Sequence, residues 1–311
     1  MNIYESVKKQ DAISPGHRAC AGCAMPIIAK TILSVVDGPV VVSNATGCME
    51  VTTTIYPHSA WNVPWIHNTF ENAAATLSGV ETAYRALKKR GKITQDFKFI
   101  AFGGDGGTYD IGLQSLSGAL ERGHDFTYVV YDNEGYMNTG GQRSSATPFA
   151  ANTTTDPVGK VRKGKQEWRK DLLKIAAAHG IKYAAQASIS NIPDLLMKAK
   201  KAIETKGPTI LLILSPCVAL WKYPTDKTVE IAKKAVDSNF WPLYEIENGY
   251  IKLNYDPKDR KIPVEEFVKL QGRYSHLLKE ENKPLLEKLQ KQIDEEFEKI
   301  KKLSESGLQV F

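Results

Sequence analysis

The chain has 311 residues, with 41 Lys and Arg against 35 Asp and Glu, 42% hydrophobic and 24% charged residues. This is the make-up of an ordinary soluble protein, long enough for one large α/β domain or a domain plus an extension. It excludes a membrane span, since no run of about 18 apolar residues exists, and argues against nucleic-acid binding, since no basic run is interleaved with aromatics.

The opening stretch, MNIYESVKKQDAISPGH, lacks the apolar core of a secretory leader, which predicts a cytoplasmic protein. Gly38 and Pro39 lead into a short strand at 40–42, and apolar residues at helical spacing predict a helix over 69–89. An apolar strand at 97–102 runs into Gly104-Asp105-Gly106-Gly107, an amphipathic helix follows, and a second strand at 126–131 ends on Asp132-Asn133. The segment 139–165 is long, irregular and rich in Gly, Ser, Thr and Pro; loops of that length are functional or disordered. Then come a helix (168–179), a strand (183–187), a helix (192–205) and the strand TILLIL at 209–214. This alternation predicts a doubly wound, mostly parallel sheet over 1–240. From about 241 the pattern changes: a hairpin-like piece at 244–253 leads to charged helices ending near Ser304, read as a C-terminal extension over 241–311. The lysine-rich stretches 198–206 and 279–302 read as solvated helix faces.

In doubly wound sheets ligands bind outside the carboxyl ends of the strands, where both the Gly-Asp run and Asp132-Asn133 are expected. Glycines admit a close backbone approach to a phosphate, and the helix behind adds a favourable dipole. A carboxylate and an amide oxygen beside a diphosphate are hard ligands suited to Mg²⁺. The run is neither a Rossmann fingerprint nor a P-loop. GDG followed by Asn133 at the end of the next strand resembles the signature of thiamine diphosphate enzymes. That resemblance implies Asp105 and Asn133 as Mg²⁺ ligands through their side chains, with the Gly135 carbonyl as a third.

The four cysteines are Cys20 and Cys23 in GHRACAGCA, Cys48 in NATGCME and Cys217 in LSPCVALW. All fall in loop-like contexts, and C-x-x-C in a cytosolic chain points to metal or redox use rather than a disulfide. Four thiolates suit zinc or a [4Fe–4S] cluster. Cys48 and Cys217 follow apolar strands, at the edge of the thiamine cradle, where a redox centre has an evident use.

The stretches GHRACAGC (16–23), ATGCMEV (45–51), AWNVPWIHNTFENAAA (60–75), GGDGGTYDIGLQSLSGALERGH (103–124), YDNEGYMNTGGQRSSATP (131–148) and WPLYEIENG (241–249) together resemble the β subunits of pyruvate:ferredoxin oxidoreductases and their relatives for other 2-oxo acids. The resemblance covers nearly the whole chain. It implies that Cys20, Cys23, Cys48 and Cys217 ligate a [4Fe–4S] cluster next to thiamine diphosphate, with Cys48 also touching the cofactor. It gives Gly104, Asp105, Gly106, Gly107, Asn133, Gly135, Tyr136, Met137 and Asn138 to thiamine diphosphate and Mg²⁺. Asn138 would face the reacting carbon as a catalytic hydrogen-bond donor. One departure stands out: some relatives have Gly-Glu after the second cysteine, where this chain has Ala24-Met25.

The family couples oxidative decarboxylation of a 2-oxo acid to ferredoxin reduction, with coenzyme A taking the acyl group. One diphosphate cradle in a chain of this length predicts an active site shared with an α subunit that carries the pyrimidine-binding domain, besides γ- and δ-type subunits. Pyruvate is the first candidate substrate; branched-chain 2-oxo acids and oxalate (the latter without coenzyme A) stay open. A non-oxidative thiamine decarboxylase would not need the cysteines, and the intact Asp105, Asn133 and Asn138 argue against a zinc-stabilised binding subunit. Glu50 and Glu71 read as surface or structural, His17, His58, His67 and His124 as hydrogen-bonding or capping residues, and Trp61, Trp65 and Trp221 as packing around the cluster. Arg143 to Ser145 are candidates to order over the cofactor.

Overall fold

The computed structural model describes residues 12–311, so most of the N-terminal stretch read for a leader (1–11) lies outside the described residues. One sheet of eight strands organises the chain: β1 (Val40–Ala45), β2 (Trp65–Asn68), β3 (Lys98–Gly104), β4 (Thr127–Asp132), β5 (Tyr183–Ser188), β6 (Thr209–Leu214), β7 (Tyr244–Glu247) and β8 (Tyr250–Leu253). Their order is β2-β1-β3-β4-β6-β5-β7-β8. The first six run parallel, and the β7–β8 hairpin adds antiparallel to β5.

Central strands buried on both faces need apolar side chains on both, which is why β6 reads as an unbroken run. Ile210, Leu212 and Leu214 enter one core with Tyr128 and Val130; Leu211 and Ile213 enter the other with Val129 and Tyr131. Helix α1 (Met25–Ser34) covers the second face with α6 (Ile192–Glu204), whereas α3 (Ala73–Lys89), α4 (Leu113–Glu121) and α5 (Leu172–Ala177) cover the first. Among the described residues no helix is long and apolar enough to cross a membrane.

Several boundaries differ from the sequence pattern. The helix expected from 69 starts at Ala73, because the Thr69 hydroxyl donates to Asn72 Oδ1 at 2.9 Å in a turn that precedes it. The one expected from 168 starts at Leu172, where the Asp171 side chain accepts from the Lys174 N–H at 3.0 Å and so caps the helix. Cys48 does not lie in a loop: it opens α2 (Cys48–Thr53), and Cys217 caps the short α7 (Val218–Trp221). Residues beyond 241 supply β7, β8 and a last long helix (Lys283–Ser306), whose Leu289, Ile293 and Ile300 enter the first core.

Because β1, β3, β4 and β6 are consecutive parallel neighbours, their carboxyl ends form one edge. Along it stand, in order, Cys48, Asp105, Asn133 and Cys217.

Candidate functional site

Glycines 104, 106 and 107 do not adopt the left-handed backbone; what excludes a side chain there is close packing. A Cβ on Gly106 would stand 2.6 Å from the Tyr136 ring, and one on Gly107 2.8 Å from the Phe70 carbonyl oxygen. The chain from Gly106 to Ile111 winds as a π-helix before α4 begins. Such wide turns concentrate at functional sites. Tyr136 reaches back across the glycines and donates its hydroxyl to Asp110 Oδ2 at 2.8 Å.

Asp105 is buried, and its hydrogen bonds come from neutral donors: the Ser144 hydroxyl at 2.5 Å on Oδ2 and the Asn133 N–H at 3.2 Å on Oδ1. Burial, and after it the charge of Asp132, pushes its carboxyl well above the usual carboxylate range. Asp132 and Glu134 are buried too, but they have cations: Arg169 Nη2 lies 2.5 Å from Asp132 Oδ2, and Arg273 Nη2 lies 2.6 Å from Glu134 Oε2. Arg169 Nη1 adds a 3.2 Å contact to Glu134 Oε1. Three carboxylates thus share two guanidiniums, and Asp105 is the one left over.

The Asn133 carboxamide faces that carboxylate. One end stands 2.8 Å from Asp105 Oδ1 and 2.9 Å from the Gly135 carbonyl oxygen; turned nitrogen-inward, the amide donates to both. Three oxygens at such spacing repel one another unless the amide turns its nitrogen inward or a cation lies among them. Neighbouring ligands in an octahedron with Mg–O distances of 2.0–2.1 Å are about 2.9 Å apart. With the Asn133 oxygen turned inward the donor set is hard and oxygen-only, the spacing fits, and a cation there would hold Asp105 as the carboxylate that no arginine pairs, so these three groups fit Mg²⁺. Glu134, between two of them, takes φ 67°, and its carbonyl accepts from the Thr147 hydroxyl at 2.7 Å. Non-glycine residues held in this region cluster at ligand clamps.

The cysteine loops converge on the same edge. The Arg18 N–H donates to the Thr52 carbonyl at 2.8 Å, tying the C-x-x-C loop to α2. At its other side Gly22, with φ +77°, fits so closely against the Thr225 carbonyl that a Cβ would stand 2.1 Å from it. The Thr228 hydroxyl donates to the Gly22 carbonyl at 2.5 Å, which fixes the loop next to the segment after Cys217. Burial pushes the Cys23 thiol up to about 11 and the Cys48 thiol up to about 12, and the other cysteines add to both. Cys217 rises for the same first reason, while Cys20 is exposed. Buried in this way, the three stay protonated unless a metal binds them as thiolates. Among the described residues, no three His, Cys, Asp or Glu side chains are placed to grip a single metal ion.

Other sequence candidates fall as follows. Asn138 is exposed, on the turn that closes with the Gly140 N–H donating to the Met137 carbonyl at 3.2 Å. Met137 packs beneath Gly135, where a Cβ would meet its Cε at 3.0 Å. Met25 is buried in the first turn of α1. His124 Nδ1 lies 2.9 Å from Glu81, and His67 Nε2 lies 2.7 Å from the Thr46 hydroxyl and 3.8 Å from Glu50. Glu71 accepts from the Thr69 hydroxyl at 3.1 Å. Trp61 donates to the Thr53 hydroxyl at 2.8 Å and stacks on Trp65. Arg143 lies 3.6 Å from Asp156, while its neighbour Ser144 reaches the Asp105 carboxylate.

Sequence reasoning missed Arg169, Arg273 and Lys165. Nothing in local pattern marks them, since each acts on residues far along the chain. Lys165 is buried in the long segment, and its ammonium donates to the carbonyls of Ser144 (3.3 Å), Ser145 (3.2 Å) and Thr147 (2.5 Å).

Residues 45–213 match the model of the thiamine pyrophosphate enzyme, C-terminal TPP binding domain. The chain is 53% identical to the pyruvate synthase subunit PorB of Thermotoga maritima over 96% of this chain and 94% of that one. It is 52% identical to PorB of Methanocaldococcus jannaschii over 94% and 97%, and 42% identical to the ketoisovalerate oxidoreductase subunit VorB of Pyrococcus abyssi over 98% and 99%. The fold resembles a solved chain of the 2-oxoglutarate:ferredoxin oxidoreductase of Magnetococcus marinus, with a TM-score of 0.56 at 21% identity, over 72% of this chain and 80% of that one. With relatives this similar over 94% or more of its length and that domain across residues 45–213, the chain belongs to the 2-oxoacid:ferredoxin oxidoreductase family as a subunit of the pyruvate synthase PorB type, with that family's thiamine pyrophosphate-binding domain.

Proposed function

We propose that this subunit serves the oxidative decarboxylation of pyruvate to acetyl-coenzyme A and CO₂, passing electrons through one [4Fe–4S] cluster toward ferredoxin. The observation that carries the reading is the shared edge: Cys48, Asp105, Asn133 and Cys217 follow four adjacent parallel strands, so cluster and cofactor would be neighbours. Identity to the PorB relatives exceeds identity to the VorB relative, which favours pyruvate over a branched-chain acid.

Thiamine diphosphate, when bound, supplies an electron sink for the carbanion left by CO₂ loss. The chain's own residues do the rest. Asp105, the Asn133 amide oxygen and the Gly135 carbonyl would hold Mg²⁺ against the diphosphate, and Ser144 orients the free oxygen of Asp105. Cys20, Cys23, Cys48 and Cys217 would hold the cluster. Asn138, exposed on its turn, is free to present a hydrogen-bond donor to substrate oxygen once an α subunit closes the site. That subunit would bring the pyrimidine contacts and most of the substrate pocket, so this chain alone should be inactive; γ- and δ-type subunits would complete the path to ferredoxin.

The test is anaerobic ferredoxin or viologen reduction by the native complex with pyruvate, 2-oxoisovalerate, 2-oxoglutarate and oxalate, each with and without coenzyme A. Coenzyme A-dependent reduction strongest with pyruvate is the expected result. Preference for another acid moves the substrate and keeps the chemistry. No reduction by a complex with full iron and thiamine sinks the oxidoreductase reading.

A further inference from the structure

Tyr131 lies one residue before the Asp132-Asn133 pair, and its hydroxyl is out of place for a core residue. The side chain is 1% exposed, the Met49 N–H leans on its oxygen, and the hydroxyl proton has no acceptor. A buried phenol normally finds an acceptor, because an unmet donor has given up its hydrogen bond to water. The polar tip is rigidly held, since Tyr131 sits opposite Gly104 in the β3–β4 register. It is also held in a telling place. A Cβ on Gly47 would stand 2.8 Å from the hydroxyl oxygen, and one on Gly104 would stand 3.4 Å from it. The hydroxyl therefore fills the gap between the residue that precedes Cys48 and the glycine that precedes Asp105. Its ring shares a core with Met49, against which Cys48 packs. The nearby carboxylate of Asp105 already accepts from Ser144 and Asn133. What the hydroxyl lacks is an acceptor for its proton.

We infer that the Tyr131 hydroxyl donates a hydrogen bond to the Cys48 thiolate of the cluster and so raises the cluster's reduction potential. The inference rests on the reading of the four cysteines as cluster ligands. A donor to ligand sulfur withdraws electron density and favours the more negatively charged, reduced cluster. Tyr131 is thus a positioning and tuning residue, with its effect exerted through Cys48.

The experiment compares the complex carrying Tyr131→Phe with wild type by electron paramagnetic resonance during a redox titration, following the cluster signal that Cys217→Ala removes. Phe keeps the ring and deletes only the oxygen. The expected result is unchanged iron and sulfide content, unchanged thiamine diphosphate affinity, and a midpoint potential shifted in the negative direction. An unmoved potential in an intact cluster overturns the inference, and a loss of thiamine diphosphate affinity with an unmoved potential gives the hydroxyl to the diphosphate instead. If Tyr131→Phe fails to assemble, the wild-type reduced cluster exchanged into D₂O decides: an exchangeable deuteron coupled to it supports the bond, and none overturns it. Wild-type complex without any cluster on this subunit sinks the underlying reading, an outcome distinct from both.

Discussion

Arg273 Nη2 lies 2.6 Å from Glu134 Oε2, and the same guanidinium rests 3.7 Å above the ring of Trp221. Trp221 in turn donates its indole N–H to the Asn133 carbonyl at 2.9 Å. One arginine from the C-terminal third thus braces Asn133 from both sides, through its neighbour and through its carbonyl. Trp221 also closes the turn that Cys217 begins, its N–H donating to the Cys217 carbonyl at 2.9 Å. The cysteine loop and the Asn133 loop therefore share a support.

Arg273→Met should be severe, because it leaves Glu134 buried with only the shared Arg169. Removing one partner from a buried pair costs about 3–5 kcal/mol. The readout is the midpoint of thermal or denaturant unfolding, with Arg273→Lys restoring part of the loss but not the stacking or the forked contact. Binding of Mg²⁺ with thiamine diphosphate should weaken in parallel. An Arg273→Met protein as stable as wild type would mean that Glu134 takes up a proton at little cost.

Ser144 supplies the hydroxyl that fixes one oxygen of Asp105 and leaves the other to face Asn133. Ser144→Ala should fold, since the alanine fits the same space, and its effect should fall on the cofactor. Outer partners of metal ligands are worth about 10- to 100-fold in affinity. Titration of Mg²⁺ against quenching of tryptophan fluorescence by thiamine diphosphate should show a loss of that order. An unchanged titration would mean that Ser144 serves only the packing of its loop.

How much of this is legible without coordinates depends on how local the cause is. Thr209–Leu214 is readable to the residue, because burial on both faces demands an unbroken apolar run. Strand β1 is readable only at its start. It continues through buried Ser43 and Asn44, and Ser43 is tolerated there because it donates to the Ala73 carbonyl at 3.0 Å and accepts from Asn68 at 2.6 Å. Those partners lie in other elements, and no periodicity announces them. Cys48, the glycines, Asp105, Asn133 and Cys217 stand out because each follows an apolar strand, and a parallel sheet aligns all such ends. Lys165 is hidden for the opposite reason, and Ser144 is legible only as part of the run 143–145, not as the donor to Asp105. They lie in a polar, Gly-rich stretch, where a buried lysine holding three carbonyls looks like any surface lysine.

The two halves of the edge should separate under mutation. Asp105→Asn removes the one charged group in the proposed Mg²⁺ set and leaves the cysteine loops untouched, so the brown iron–sulfur absorbance should persist while Mg²⁺-dependent thiamine diphosphate binding is lost. Cys217→Ala should do the reverse, losing iron and absorbance and keeping most cofactor affinity. Absorbance and fluorescence titration on the same preparations check both. Loss of cluster in Asp105→Asn, with the protein folded, would show that the cradle and the cysteines do not form independent sites.

Lys165 gives a pH dependence with a definite sign. Burial, and after it the charges of Arg143 and Arg169, lowers its ammonium from the ordinary 10.5 to about 8. Below pH 8 the lysine is charged in both the native and the unfolded chain, so its contribution to stability is constant there. Between about 8 and 10.5 the native lysine gives up its proton while the unfolded one keeps it. The unfolded state then binds more protons, and stability rises with pH across that window. The unfolding free energy of wild type minus that of Lys165→Met should accordingly be flat up to about pH 8 and climb above it, whatever the absolute cost of leaving the Ser144, Ser145 and Thr147 carbonyls without their donor. Denaturant unfolding in parallel buffers measures the difference. A flat difference through pH 10 would show that the three carbonyls stabilise the ammonium enough to cancel the effect of burial.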